Sequence, residues 1–120
     1  MRLRAVRGAT TVEKDTRDEI VSATVRLLEE MLQRNAVARE DLVSIIFTAT
    51  PDLRAEFPAA AAREIGISDV PLLCARELDV EGAIGRCVRV LMHVYTERDQ
   101  QSLRHVYLGE ARQLRTDLPH

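Results

Sequence analysis

The run Cys87-Val88-Arg89-Val90-Leu91-Met92 reads as a buried strand, yet it carries a permanent positive charge at its centre. Strand alternation puts Cys87, Arg89, Leu91 and His93 on one face and Val88, Val90 and Met92 on the other. A guanidinium does not shed its proton in a protein. Burying it unpaired costs, in the idealised limit, on the order of 20 kcal/mol. Arg89 therefore needs a carboxylate, a solvated cleft or an anionic ligand. Taken alone, it favours a core salt bridge or a strand end that reaches solvent.

Its companions shift that balance. Arg7 falls on the otherwise apolar face of a second strand, Arg63 lies among alanines in a short helix, and Arg115 sits near the C-terminal end. Glu77 follows Leu72-Leu73-Cys74-Ala75-Arg76 and can pair with a guanidinium or accept a hydrogen bond from a hydroxyl. Tyr107 offers a phenol in a strand-like context. Guanidinium forks bind carboxylates in bidentate fashion, so this set suits a small ligand with two carboxylates and a hydroxyl. The sequence has no nucleophile–base pair, paired-carboxylate motif, phosphate-cradling glycine loop or metal-ligand spacing. An enzyme made from these parts would act by electrostatics and positioning. Cys74 suits a small core residue as well as a ligand contact, and Phe57 before Pro58 reads as a packing anchor. His93 and His105 read as structural or surface residues with no assigned role.

Composition bounds the reading. The 120 residues point to one domain spanning 1–120. Aromatics make up only 3%, so Leu, Val, Ile and Ala must build the core, and partner subunits would help to bury enough surface. The formal charge of −2 lacks the basic stripe of a nucleic-acid binder. No run of apolar residues is long enough to span a membrane, and the basic start has no apolar signal region. Cys74 and Cys87 form no CxxC pair, and the three histidines take no zinc-ligand spacing with them. Two lone thiols without a signal point to the cytoplasm.

The elements that must position these residues are legible from pattern. Residues 2–9 alternate as a strand, with Leu3, Ala5, Arg7 and Ala9 on one face. Thr16 and Glu19 form a capping box, and Ile20, Thr24, Leu27, Leu28 and Met31 make one helical stripe that stops at Asn35. The β-branched run Leu42–Thr50 ends at Pro51 as a buried strand. A loop then leads to a short helix, with Pro58 at its first position and Gly66 past its end. A short strand at "VPLLCA", the long strand at "RCVRVLMHVY", a last strand at "LRHVYL" and a helical turn at "GEARQLR" follow. The fold class is α+β, a mixed sheet with one long helix and short helices on one side.

Five blocks in one order, "RGATTVEKDT", "ATPDLRAEFPA", "VPLLCARELDV", "CVRVLM" and "RHVYLGEA", resemble the monofunctional chorismate mutases of the trimeric bacillus type. The likeness runs from about Arg4 to Leu118. It implies the isomerisation of chorismate to prephenate without a cofactor or metal, in a homotrimeric pseudo-barrel with active sites between subunits. The ligand implied is a dicarboxylate with a hydroxyl and a breaking ether bond.

The resemblance also implies roles. Arg89 faces the ether oxygen, and Arg7 holds a substrate carboxylate with help from Tyr107. Glu77 and Cys74 lie near the ring hydroxyl, while Leu72 and Leu73 line the site through their backbone. Phe57, Ala59 and Arg63 close the mouth from the adjoining subunit, and Leu114 and Arg115 belong to a covering C-terminal segment. The chain departs from the family at Ala60, where some relatives have lysine, and at Leu73, where a threonine is common. Two rivals are a non-catalytic chorismate-binding trimer and a trimeric imine-hydrolysing deaminase. The second leaves Arg89 and Glu77 together without a purpose.

Overall fold

The structure is a computed structural model and describes residues 1–113 of the chain. Its elements in order are β1 (Arg2–Thr11), α1 (Arg17–Arg34), β2 (Leu42–Ala49), α2 (Ala60–Glu64), β3 (Leu72–Arg76), β4 (Cys87–Thr96) and β5 (Val106–Tyr107). Short 3-10 turns occupy Arg39–Asp41, Gln100–Ser102 and Gly109–Gln113. The strands form one five-stranded sheet in the order β3-β2-β4-β1-β5. β4 runs antiparallel to both β1 and β2, whereas β3 on β2 and β5 on β1 are parallel. The expected mixed α+β sheet is therefore present.

α1 begins where its cap predicts: Thr16 Oγ1 accepts the Glu19 backbone N–H at 3.2 Å. The reciprocal half of the box differs from expectation. Glu19 Oε1 accepts N–H groups of Glu13 and Lys14, at 3.1 and 3.2 Å, and so ties down the link from β1 instead of the cap residue. Asn35 ends the helix and does more. Its side chain donates to the Met31 and Arg104 carbonyls and accepts from Arg104 N, which fastens the approach to β5 against the helix end.

The two sheet faces have different fates. Val6 on β1, Ile45 and Phe47 on β2, and Val90 and Met92 on β4 lie buried in one cluster with Leu27, Leu28 and Met31 of α1 and Ala61 and Ala62 of α2. Complete burial of each large aliphatic side chain stabilises by about 1.5–3 kcal/mol, so this face is the main source of stability. Gly8 is what lets α1 approach β1: a Cβ there would press on Met31 Sδ and lie 3.1 Å from Leu27 Cδ1. The other face, carrying Arg7, Ile46, Thr48, Arg89, Leu91 and His93, is only partly buried. The face of β1 with Leu3, Ala5 and Ala9, the more apolar one by composition, is thus the one that α1 leaves open.

α2 starts later than the sequence predicts. The first helical residue is Ala60 and Ala59 is its cap, while Pro58 sits one residue outside. The Pro58 carbonyl accepts from Ala61 N at 3.0 Å, a tight turn that precedes the helix proper. Gly66, at φ +83, follows the helix as expected. Among the described residues, no helix is long and apolar enough to cross a membrane.

Candidate active site

The open face gathers the charged groups. Ala9 of β1 pairs with Arg89 of β4 and with Tyr107 of β5, and Thr48 of β2 pairs with Arg89 from the other side. Because Arg7 is two residues from Ala9, its side chain shares that face and stands diagonal to Arg89. Arg7, Ala9, Thr48, Arg89, Leu91 and Tyr107 line an open cavity of about 260 Å³. Two guanidiniums and a phenol thus converge on one hollow.

Glu77 supplies the carboxylate. Its backbone N–H donates to Ala49 O at 2.9 Å, which pins it beside the end of β2. Glu77 Oε1 lies 3.5 Å from Arg89 Nε, and Thr48 Oγ1 donates to Glu77 Oε2. Both charged side chains are shielded but not sealed, at 30% exposure for Arg89 and 19% for Glu77. Arg89 Nε is hidden from solvent and has no hydrogen-bond partner among the described residues. Its contact with Glu77 is one of charge, without hydrogen-bond geometry. A buried N–H on a fixed cation at the edge of a hollow is a donor that lacks its acceptor.

The base of β4 is anchored from the β2–α2 loop. The Asp52 carboxylate accepts Arg86 N–H, and Thr50 Oγ1 accepts Cys87 N–H at 3.0 Å. These bonds hold Arg86 at φ +47, a conformation that a non-glycine residue adopts at a cost. Cys87 packs with Ala9, Tyr107 and Ala111 beneath the hollow. Burial pushes its thiol up to about 11, with the nearby Arg89 guanidinium pulling partly the other way.

Of the residues expected at the site, Arg89, Glu77, Arg7 and Tyr107 come together. Leu73 lies on the open face but toward the sheet edge, paired with Ile46 and 60% exposed. Cys74 and Leu72 point the other way, since they pair with Phe47 and Ile45 and pack against the helix-covered core. Cys74 instead lines a larger cavity of about 600 Å³ with Arg54, Phe57, Pro58 and Arg76. That cavity holds neither Arg7 nor Arg89, so size alone does not mark the site. Phe57 is 66% exposed, Ala59 and Ala60 are buried under the same helix end, and Arg63 is exposed. None of these lines the Arg89 hollow. Leu114 and Arg115 lie outside the described residues.

Two contributors are not apparent from sequence. Thr48 is one. His105 is the other: its Nδ1 accepts the Arg7 backbone N–H at 3.0 Å and steadies the strand that carries Arg7. Both act through tertiary hydrogen bonds, which residue spacing does not reveal.

Fold and site together define an α+β protein whose open sheet face gathers two guanidiniums and a phenol around one hollow. The chain belongs to the chorismate mutase type I family, whose model matches residues 3–118. It is 48% identical over 119 residues to the chorismate mutase AroH of Bacillus subtilis strain 168, covering 98% of this chain and 94% of that one. It is 50% identical over 117 residues to the chorismate mutase AroH of Thermus thermophilus, with 97% and 96% covered. Among solved structures, a chorismate mutase from Clostridium thermocellum superposes with a TM-score of 0.89 at 50% identity, covering 90% of this chain and 96% of that one.

Proposed function

We propose that this protein is a chorismate mutase, an isomerase that converts chorismate to prephenate in aromatic amino-acid biosynthesis. The observation that carries the reading is the Arg89 Nε–H at the edge of the hollow, which has no hydrogen-bond partner among the described residues. The rearrangement breaks an ether C–O bond and forms a C–C bond within one molecule. It needs no acid, base, nucleophile or redox partner. As the C–O bond breaks ahead of C–C formation, negative charge grows on the ether oxygen. A guanidinium already fixed there stabilises the transition state more than the ground state. Arg7, with Tyr107 beside it, takes a substrate carboxylate, and Glu77 accepts from the ring hydroxyl and holds Arg89. Together they select the folded, chair-like substrate conformer.

The working form in this reading is a homotrimer with active sites between subunits. Two features support it. The hollow of about 260 Å³ is small and open on one side, below the ~300 Å³ at which ligand pockets usually begin. Phe57 and Arg63, the residues expected to close it, stand apart from it in the same protomer and face outward. A neighbouring copy can bring them to it. The compartment proposed is the cytoplasm, which suits two cysteines that form no disulfide.

The test is direct. Purified protein is added to chorismate and the ultraviolet absorbance of chorismate is followed, with the mass in solution measured on the same sample. Loss of absorbance well above the uncatalysed rate, with a mass of three chains, is the expected result. A rate no faster than the uncatalysed one overturns the reading.

A further inference from the structure

Thr48 occupies the strand position directly across from Arg89, on the open face and beside the hollow. A threonine there has an ordinary explanation, since β-branched residues suit strands. Its hydroxyl is nevertheless committed. It donates to Glu77 Oε2, while the other carboxylate oxygen, Oε1, faces Arg89 Nε at 3.5 Å. The Glu77 backbone is separately fixed by its bond to Ala49 O. The main chain therefore sets where the carboxylate group starts, and the hydroxyl sets how its plane is turned.

From this geometry we infer that Thr48 is a positioning residue for catalysis, acting through Glu77. The inference rests on the mutase reading above. The two Glu77 oxygens then divide their roles. Oε2 is held by Thr48, and Oε1 is left to Arg89 and the substrate hydroxyl. Without the hydroxyl the carboxylate is free to rotate and to chelate Arg89 with both oxygens. That would draw the guanidinium toward Glu77 and away from the breaking ether bond. Arg89 exerts its largest effect on the charge of the transition state, so the loss falls on kcat more than on KM.

The test compares Thr48→Ser, Thr48→Ala and Thr48→Val with wild type, in the wild-type and Glu77→Ala backgrounds. Thermal unfolding is recorded for each variant. Serine keeps the oxygen and is expected to retain kcat within a few-fold. Alanine differs from serine by that oxygen alone and is expected to lose roughly 10- to 100-fold in kcat with KM little changed, the range for a hydrogen bond to a charged group. Valine keeps the shape and is expected to match alanine. In the Glu77→Ala background all three substitutions are expected to change kcat by no more than a few-fold, because the group through which Thr48 acts is gone. Folded Thr48→Ala with wild-type kcat overturns the inference. So does a folded serine variant as poor as alanine, or an equal loss in the Glu77→Ala background. Wild-type protein with no activity on chorismate would instead remove the mutase reading itself.

Discussion

Arg89 Nε stands 3.5 Å from Glu77 Oε1, close enough for charge to be neutralised but without a hydrogen bond being made. That gap resolves the difficulty of a cation in an apolar strand. The carboxylate lowers the cost of keeping Arg89 half-hidden, yet Nε has no hydrogen-bond partner among the described residues. A salt bridge that also engaged Nε through a hydrogen bond would close that one donor to a substrate. The strand's covered face, with Val88, Val90, Met92 and Val94 all buried, keeps the backbone rigid behind it.

Arg89→Ala is expected to remove most of the turnover. Loss of one preorganised donor to a developing negative charge costs about 2.7–4 kcal/mol, or roughly 10²- to 10³-fold in kcat. Lysine should recover little, because a point charge lacks the fork. Replacing Arg89 with citrulline, which keeps the shape and removes the charge, separates the two contributions. Full activity with citrulline in steady-state assays would contradict the electrostatic account.

Much of this fold and site is legible in the sequence, and the limits have physical causes. α1 is readable because its cap and its stripe are local features. Arg7, Arg89 and Tyr107 stand out because charge and phenol are unusual in apolar strands, and Glu77 because it directly follows one. Which face the helices cover is not readable from β1, because composition favours the side with Leu3, Ala5 and Ala9. The deciding residue is Gly8, whose missing side chain admits Met31 and Leu27. Cys74 and Arg89 are expected near one ligand, but the β2–β3 register puts Cys74 opposite Phe47, on the covered side. Thr48 and His105 act through bonds to residues far away in the chain, and no spacing rule points to them.

Gly8→Ala tests the close approach of α1 to β1. The new methyl group meets Met31 Sδ and Leu27 Cδ1 in a packed core, so stability is expected to fall by about 1–3 kcal/mol. Met31 is flexible and can yield in part. Gly8→Ala combined with Met31→Ala should therefore cost less than the sum of the two single changes. Urea unfolding at one protein concentration measures this, and strict additivity would mean that the two positions do not touch.

Asp15 anchors the loop that presents Phe57. Its Oδ1 accepts N–H groups of Arg54 and Ala55 at 2.9 and 3.0 Å, and beside it Arg17 Nε meets Glu56 Oε2 at 3.0 Å. Asp15→Ala leaves two amides to solvent and is expected to lower stability by about 1 kcal/mol. Asp15→Asn keeps an acceptor oxygen and should cost less. Denaturant midpoints with an unchanged slope would report this ordering. Equal losses for both variants would show that the acceptor is not what matters.

Cys87 predicts a pH dependence whose sign follows from its burial. The folded thiol titrates at about 11, against an ordinary value of 9.0. Below the ordinary value neither state is ionised, so the group has no effect on the balance. Between the two values the unfolded chain gives up this proton and the folded chain keeps it. Ionisation then favours unfolding, so stability falls as pH rises through that window, by up to about 1.4 kcal/mol per pH unit for one proton. Other groups titrate in the same range, so the measurement is the difference between wild type and Cys87→Ala. From about pH 8.5 to about pH 10.5 wild type should lose more stability than the alanine variant. A thiol reagent supplies the kinetic counterpart, because the thiolate is the reactive form. At about pH 8 it should leave Cys87 unmodified in native protein and modify it in urea. Parallel stability curves for the two proteins, with rapid native modification of Cys87, would mean that the thiol is not held protonated by burial.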